Sequence, residues 1–599
     1  MNITHVKDSL ALLERLFDPR HATEPFIPAT AGKPMWEHIG AKAEPFFDAA
    51  ALEGAGISPA ALKAFLVALQ QNPNLYTHGV VIAKDGKLLL RAHLGAHDVT
   101  LPRYMYSASK TVTAMAVGVL FDRGILSFEE KLIDLFPSYF NPVSRLRFSS
   151  LTVEDLLTMR SAVTFGEADA MTDDDWVGCF LSASLSGEIG KSFAYNSLNT
   201  YMLSVIVEEK TGMTLDAFVK KTFFAPLGIE NTFWESCPKG HTIGGWGLYI
   251  TPMDLCKMAS ILIDGTYGGQ RYLSEAFVTK MRTPIVQVSR ENGAYDYSYQ
   301  MWVNVKSGVA LMNGMFGQNV FLDAKTGITL AVLSGNSEVF QKSETYAITE
   351  AFLSTVGEGG TWTSDENEAI ASLLSALCEQ AHALPEPPKK RGFFASMLLR
   401  WLAPREETAP TETKNDPFSM HTFSAKDDMG GALGLLPLIL QAVRNHYTKG
   451  FVCLTVGKEK DGALSITWKE KDTAYTFLVG MDGMSRRTWL TFAETPYLVD
   501  AKGTLAENED GEPVLRMELL FAETPHTRTV KLFAHKNGTY TLLVTEEPGE
   551  ALIAREATAA KHRVEDKPII GSFLSKIDDD YLAYSVKRAF SPQIGVERD

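Results

Sequence analysis

Apolar residues are distributed so that the chain divides into a strand-rich beginning, a helical middle and a return to strands. The first clear pattern is a pair of apolar runs, residues 78–84 and 87–93, separated by Asp85-Gly86. Asp-Gly between two such runs predicts a β-hairpin, because both residues tolerate the backbone of a tight turn. A short helix is predicted before the hairpin, over residues 58–71.

Helix patterns dominate from about residue 127 to residue 287. The run 107–123 before them is also helical, and Gly124 is placed to end it. Thr251 and Pro252 open a later helix as its cap and its first helical residue. Strand patterns return over residues 297–305, 309–313, 318–323 and 328–333. A hairpin before the helices and strands after them predict one sheet built from both ends of the domain, which is an α+β arrangement.

The last third of the chain has its own strand pattern. Thr363 and Glu366 are spaced as a capping box and open a predicted helix over residues 363–384. A Pro-rich, charged stretch then predicts a linker. Beyond it, a helix at 435–446 and short strands such as 464–468, 475–478 and 530–533 predict a β-rich domain. The predicted organisation is an N-terminal extension (1–48), a first domain (49–362), a helix and linker (363–417) and a C-terminal domain (418–599).

The composition agrees with two globular domains, and the net charge and the cysteines limit the possible partners. The chain has 599 residues, of which 45% are hydrophobic and 22% charged, as in ordinary globular proteins. A net charge of −15 argues against a nucleic-acid partner. The five cysteines are scattered without a C-x-x-C spacing. This pattern predicts free thiols in a reducing compartment and no structural zinc.

The sequence also bears on membranes. The first 20 residues lack the apolar core of a secretory signal, and no stretch reaches the ~20 apolar residues of a membrane span. We therefore expect a soluble, cytoplasmic protein. The segment 389–402 joins three basic residues to an apolar run, which is compatible with weak association with a membrane surface. A short helix packed on a domain is the favoured interpretation, given the overall acidity of the chain.

Candidate chemistry lies in Tyr106-Ser107-Ala108-Ser109-Lys110, which predicts a tight turn leading into an apolar helix. Ser107 and Lys110 are one helical turn apart and share a face. A serine hydroxyl needs a nearby base, and a buried lysine with a lowered pKa can be that base. The alternative is that Ser107 caps the helix and Lys110 is solvated. A second S-x-x-K, at 236–239, contains Pro238 and is predicted to be a loop.

Acyl transfer needs a second proton-handling group and a further oxyanion donor. Tyr195 precedes a predicted helix at 199–210, and a phenol near an ammonium has a lowered pKa. The alternative is a packing residue with a satisfied hydroxyl. Gly314, in the stretch 313–318, lets the backbone approach a substrate carbonyl, although a plain turn also fits.

Three motifs occur in order: Ser107-x-x-Lys110, Phe193-x-Tyr195-x-Ser197 and Gly314-Met315-Phe316-Gly317-Gln318. With their connecting segments, residues 50–355 resemble the serine β-lactamase-like hydrolase family, and most closely class C β-lactamases, their esterase relatives and 6-aminohexanoate-dimer hydrolases. The resemblance implies an antiparallel sheet flanked by helices plus a helical region, with the site between them. It implies that Ser107 is the acylated nucleophile, Lys110 its activating partner and Tyr195 the general base and acid. It also implies an oxyanion hole from the N–H groups of Ser107 and Met315, supported by Ser197, Gly314 and Gln318.

The chain departs from the family at two motif positions. Ser197 stands where Asn is usual, and Met312 stands where the third motif usually begins with Lys or His. In penicillin-recognising members that cation helps to hold the substrate carboxylate, so its absence disfavours β-lactams. The predicted function is hydrolysis of a small-molecule ester or amide, with no cofactor and no metal. The alternatives are a β-lactamase or DD-peptidase, and a non-catalytic ligand-binding protein of the same fold. The sequence does not indicate the natural substrate or the oligomeric state.

Overall fold

The computed structural model of the chain describes residues 32–37, 42–289, 293–337, 343–379, 416–426, 433–551, 553–554, 558 and 579–599. The segment 389–402, most of the predicted linker and most of the predicted N-terminal extension lie outside these residues. The predicted domain boundaries therefore stay predictions. Within the described residues, no helix combines the length and the apolar character that crossing a membrane requires.

The first domain is built on one large antiparallel sheet. The strands of the whole domain, in chain order, are Phe46–Phe47 (β1), Thr77–Lys84 (β2), Lys87–His93 (β3), Arg103–Tyr104 (β4), Phe233–Trp234 (β5), Leu248–Ile250 (β6), Thr266–Tyr267 (β7), Gln270–Arg271 (β8), Tyr295–Tyr297 (β9), Trp302–Asn304 (β10), Ala310–Gly314 (β11), Gln318–Asp323 (β12) and Ile328–Ser334 (β13). Eight of these strands form the sheet, in the order β1-β3-β2-β13-β12-β11-β10-β9. Because β2 pairs with β13, the predicted sheet built from both ends of the domain is confirmed.

Helices cover both faces of this sheet. In chain order they are Ala49–Gly54 (α1), Pro59–Gln71 (α2), Ser109–Asp122 (α3), Leu132–Leu135 (α4), Pro142–Arg147 (α5), Val153–Leu157 (α6), Glu167–Ala170 (α7), Trp176–Ser182 (α8), Ser197–Thr211 (α9), Leu215–Val219 (α10), Pro252–Ile261 (α11), Glu275–Arg282 (α12), Glu344–Ser354 (α13) and Ser364–Glu379 (α14). Val81 and Ala83 of β2 face the core that contains α3, whereas Val80 and Ile82 face a second core on the other side. Burial on both faces explains why β2 is continuously apolar rather than alternating.

The single strand predicted over residues 297–305 is wrong. The chain forms two short strands there, β9 and β10, and Gln300 between them has a left-handed backbone with φ +57°. The Gln300 side-chain amide donates to the carbonyls of Leu156 (3.0 Å) and Leu157 (2.9 Å). These bonds to buried carbonyls hold the connection out of the sheet, and a pattern of apolar residues carries no sign of them.

The second domain, residues 416–599 as far as they are described, is a curled antiparallel sheet of ten strands. The strands are His421–Ala425 (β14), Phe451–Lys458 (β15), Leu464–Glu470 (β16), Ala474–Val479 (β17), Arg486–Phe492 (β18), Thr495–Glu507 (β19), Pro513–Phe521 (β20), Thr527–Ala534 (β21), Tyr540–Glu547 (β22) and Gln593–Arg598 (β23). Their order in the sheet is β17-β16-β15-β14-β23-β22-β21-β20-β19-β18. Gly480, just after β17, bridges to Lys502 of β19, so the two ends of the sheet meet. The β-rich prediction is thus confirmed.

Two helices accompany the second sheet, Leu438–Val443 (α15) and Asp579–Phe590 (α16). The first is shorter than the predicted 435–446. It begins after Pro437, where the buried Glu546 carboxylate accepts the backbone N–H groups of Leu438 (2.7 Å) and Ile439 (3.3 Å). A carboxylate at this end satisfies N–H groups that have no partner within the helix.

Buried polar groups join the two domains. The Glu235 carboxylate of the first domain accepts Tyr104 Oη at 2.8 Å and Arg444 Nη1 of the second domain at 2.5 Å. The side chains of Glu235 and Arg444 are only 2% and 6% exposed. Arg444 Nη2 also donates to Thr495 Oγ1 at 3.0 Å. Removing one member of such a pair leaves the other charge buried without its partner.

Arg444→Met is expected to destabilise the protein by about 3–5 kcal/mol, because it leaves the Glu235 carboxylate buried without its cation. Scanning calorimetry should therefore show a clearly lowered unfolding midpoint. The matched control is Arg145→Met, whose ion pair with Asp134 has side chains 47% and 59% exposed. That change should cost less than about 1 kcal/mol. Equal midpoints for the two variants would contradict the buried-pair interpretation.

Candidate active site

The candidate nucleophile lies in a tight turn between the sheet and the central helix. Residues Tyr106–Ala108 form one 3-10 turn, and α3 begins directly after it at Ser109. The cap position of α3 is Ala108, and no side chain caps the helix. Ser107 is partly exposed at this turn, whereas nearly all of α3 is buried. The capping alternative for Ser107 is therefore not what the structure contains.

The Lys110 amine lies at the centre of a small polar cluster. Its Nζ donates to Ser107 Oγ at 2.9 Å, to Ser197 Oγ at 2.8 Å and to the Gly245 carbonyl at 2.7 Å. Lys110 is only 1% exposed, and burial lowers its pKa to about 7, against a smaller opposing effect of the Glu167 carboxylate. A large fraction of the amine is therefore neutral at neutral pH and able to accept a proton.

Tyr195 completes the group around the serine. Its hydroxyl is hydrogen-bonded to the Ser107 side chain, and its ring centre lies 4.9 Å from Lys110 Nζ. The ring also stacks on Trp302, with centroids 6.0 Å apart. Burial raises the pKa of Tyr195, and the bond to Ser107 only partly opposes this. The lowered pKa that the sequence predicted for Tyr195 is therefore wrong, because burial of the phenol dominates.

The segment after β11 approaches the serine turn closely. A side chain at Gly314 would place its Cβ 2.3 Å from the Met105 carbonyl, so only glycine fits there. Met315 follows in a 3-10 turn in which Phe316 has a φ of +61°. Gln318 fixes this turn, because its side-chain nitrogen donates to the Ser334 carbonyl at 2.5 Å and to that of Phe316 at 3.4 Å. The segment 314–318 thus packs against the turn that carries Ser107, and its role in an oxyanion hole stays a prediction.

The second motif, residues 193–197, is held in place by hydrogen bonds that the spacing of its residues does not indicate. The Asn196 side chain donates to the carbonyls of Val163 (3.1 Å) and Phe165 (2.8 Å) and caps α9 by accepting Leu198 N. The Ser197 N–H donates to Glu167 Oε1 at 2.9 Å. The sequence analysis did not single out Glu167, because one glutamate at the start of a four-residue helix carries no motif. Gly245 was part of a segment that resembled the family, but its carbonyl had no assigned role.

Met312, at the position of the family's usual cation, points into the core that surrounds α3 and is 1% exposed. The neighbouring Asn313 is 4% exposed, and its amide nitrogen has no partner within the described part of the chain. The sequence offers two other cations of this domain, Arg290 and Lys342, in place of the missing one, and both lie outside the described residues.

His93 and His97, which are four residues apart in the sequence, both have structural contacts. His93 Nδ1 accepts the Val99 N–H at 3.2 Å, and the His97 ring stacks on that of His78 at 3.5 Å. Among the described residues, no group of three or more His, Cys, Asp or Glu side chains is arranged to hold a metal ion.

Comparison with known families agrees with this geometry. The family model named Beta-lactamase matches residues 62–352. Residues 62–352 belong to the beta-lactamase family. The matched range contains Ser107, Lys110, Tyr195 and the 314–318 turn, and it leaves the second domain outside.

The domain is similar to proteins that are described as a penicillin-binding protein, a hydrolase and an amidase. Penicillin-binding protein 4* of Bacillus subtilis is 26% identical over 175 residues, which is 26% of this chain and 37% of that protein. Among solved structures, a candidate 6-aminohexanoate-dimer hydrolase from Bacillus anthracis has a TM-score of 0.41 at 17% identity, covering 58% of this chain and 91% of that one. The D-amino acid amidase of Ochrobactrum anthropi SV3 has a TM-score of 0.40 at 15% identity, covering 49% and 98%.

The reactivity of Ser107 in the beta-lactamase-family domain should depend on pH through Lys110. The rate of labelling by a fluorophosphonate is expected to rise with pH around an apparent pKa of about 7, because protonated Lys110 cannot accept the serine proton. Glu167→Gln removes the charge that favours the ammonium but keeps an oxygen for the Ser197 N–H. The midpoint should therefore move to lower pH.

The control for this measurement is Glu53→Gln, which changes an exposed carboxylate on α1. It should leave the midpoint where it is in the wild type. A labelling rate that does not change between pH 5 and 9, on the order of two units either side of the pKa of Lys110, would contradict the assignment of Lys110 as the base.

Proposed function

We propose that this protein is a serine hydrolase that cleaves a small ester or amide through an acyl-enzyme on Ser107. The observation that carries the proposal is the buried Lys110 amine, 2.9 Å from Ser107 Oγ, with its pKa lowered to about 7. A serine hydroxyl becomes an effective nucleophile when a base with such a pKa contacts it. The Tyr195 hydroxyl, bonded to the same serine side chain, adds a second proton-handling group.

In the first step, Ser107 Oγ attacks the substrate carbonyl carbon while its proton passes to the neutral Lys110 amine. The negative charge that develops on the carbonyl oxygen is stabilised by the N–H groups of Ser107 and Met315. Ser197 and the Gly245 carbonyl keep the new ammonium in place, since both already contact Nζ at under 3 Å.

In the second step, the tetrahedral intermediate collapses, and the bond to the alcohol or amine leaving group breaks. The leaving group takes a proton from the Tyr195 hydroxyl, and the Lys110 ammonium returns a proton to Tyr195. A phenol with a raised pKa stays protonated and can act as this donor. A water molecule then hydrolyses the acyl-enzyme by the same route in reverse, which releases the acid and restores Ser107.

A β-lactamase or DD-peptidase is the second candidate, and one observation favours it: the similarity to a penicillin-binding protein. Two features of the site oppose it. Met312 supplies no cation for a substrate carboxylate, and the Glu167 carboxylate adds negative charge close to Lys110. An anionic substrate would have to lose its hydration water without a compensating partner.

A fluorophosphonate probe followed by peptide mapping tests the proposal. Ser107 should be the labelled residue, and Ser107→Ala should abolish both labelling and turnover of p-nitrophenyl butyrate. Tyr195→Phe should lower the rate by about 10²–10⁴, as expected for loss of a general acid–base group. Labelling at Ser236 with Ser107 unmodified would overturn the mechanism. Absence of labelling and turnover in the wild type would favour a ligand-binding protein of the same fold.

Uncharged short esters should be better substrates than β-lactams. A missing charged hydrogen bond is worth roughly 1.5–3 kcal/mol, or about ten- to a hundredfold in kcat/KM. A paired assay of p-nitrophenyl butyrate and nitrocefin on one preparation measures this preference. Glu167→Gln should narrow the gap, because it removes the negative charge. Met312→Lys is unsuitable as a test, since Met312 is buried in the apolar core. A preference for nitrocefin in the wild type would favour the second candidate.

A further inference from the structure

The second domain reaches the serine turn through one corner. Residues 521–526 connect β20 to β21, and their own hydrogen bonds fix their shape. His526 N donates to Thr524 Oγ1 at 3.2 Å, and Phe521 N donates to the His526 carbonyl at 3.0 Å. We call residues 521–526 the β20–β21 corner.

The β20–β21 corner binds the strand that leads to Ser107. The Tyr104 N–H donates to the Glu523 carbonyl at 2.8 Å, and Arg103 Nη1 donates to the Ala522 carbonyl at 3.0 Å. Arg103, Tyr104 and Glu523 are all at most 1% exposed. The strand three to four residues before the nucleophile is therefore held by the second domain as well as by its own, in which β4 pairs with β6.

His526, at the end of this corner, contacts both segments that carry the proposed oxyanion donors. Its Nε2 lies 2.7 Å from the Tyr106 hydroxyl, and its ring meets the Phe316 ring edge-on with centroids 5.4 Å apart. Tyr106 immediately precedes Ser107, and Phe316 immediately follows Met315. One fully buried imidazole thus lies behind both donors.

Tyr106 and Phe316 also share an unusual backbone. Their φ angles are +46° and +61°, in the left-handed region that bulky residues rarely adopt. Such conformations persist only where the surroundings hold them. The two rings pack edge-on against each other at 5.6 Å, and His526 contacts both.

The protonation state of His526 is compatible with a hydrogen bond from Tyr106. Burial lowers the pKa of His526 to about 3, so the ring is neutral around neutral pH. A neutral imidazole has one nitrogen that accepts a hydrogen bond, and Nε2, 2.7 Å from the Tyr106 hydroxyl, is placed to accept the phenol proton.

We propose that His526 is a positioning residue for the hydrolytic reaction: through Tyr106 and Phe316 it sets the relative position of the N–H groups of Ser107 and Met315. The second domain is then part of the framework of the active site. This inference rests on the proposed function, because it assumes that those N–H groups stabilise an oxyanion. A small displacement of either donor would reduce the stabilisation of the transition state more than it reduces the binding of an uncharged substrate.

Two substitutions remove the same hydrogen bond from opposite sides. His526→Phe keeps the aromatic packing against Phe316 but loses the acceptor, and Tyr106→Phe loses the donor. Each should lower kcat for p-nitrophenyl butyrate by roughly ten- to a hundredfold with little change in KM, as expected for misplaced catalytic groups. The double variant should be no slower than the slower single variant, because both changes remove one interaction. His526→Gln, which keeps an acceptor, should recover part of the rate.

The matched control is His535→Phe, which removes a hydrogen-bonded histidine of the same domain whose ring nitrogens contact Glu512 and Thr541. It should leave kcat unchanged. Variants that lower the unfolding midpoint but keep the wild-type kcat would overturn the proposal, since His526 would then be structural only. If His526→Phe does not fold, Tyr106→Phe decides the question alone. A wild-type protein without labelling or turnover would instead refute the proposed function.

Discussion

The burial of the Lys110 amine is the constraint on which the rest of the site depends. An ammonium removed from water is costly, and the protein offsets only part of that cost with three oxygen acceptors and the Tyr195 ring. The amine therefore loses its proton near neutral pH. Burial of this degree requires apolar packing on every side of α3, which is why nearly the whole helix lies in the core between sheet and helices.

Because α3 is deeply buried, the partly exposed turn before it is positioned by contacts from other segments. The first domain supplies Gln318 and the Gly314 approach, whereas the second supplies the Glu523 and Ala522 carbonyls and the His526 ring. The interface contains buried polar pairs, among them Glu235 with Arg444 at 2.5 Å. Such pairs are satisfied in one arrangement only, so they favour a single relative position of the two domains.

Local pattern was enough to predict the parts of the site that lie within one turn of each other or within one motif. Ser107 and Lys110 are one helical turn apart, and Gly314 marks a close backbone approach that only glycine permits. Glu167 and His526 were not predictable in this way. The His526 contact with Tyr106 joins residues 420 positions apart, and no periodicity of either segment refers to the other. The break at Gln300 has the same origin, since it depends on carbonyls of a distant helix.

Met312 is an apolar core residue at the position where the family usually has a cation. Its side chain fills the core beside α3, so the site has no space for the cation that the family usually places there. A lysine introduced at 312 would add a second buried amine close to Lys110, and each ammonium would lower the pKa of the other. Because Lys110 must be neutral to act as a base, its own pKa would fall and its basicity with it. In the proposed mechanism, a cation at position 312 would therefore favour an anionic substrate and at the same time weaken Lys110 as a base.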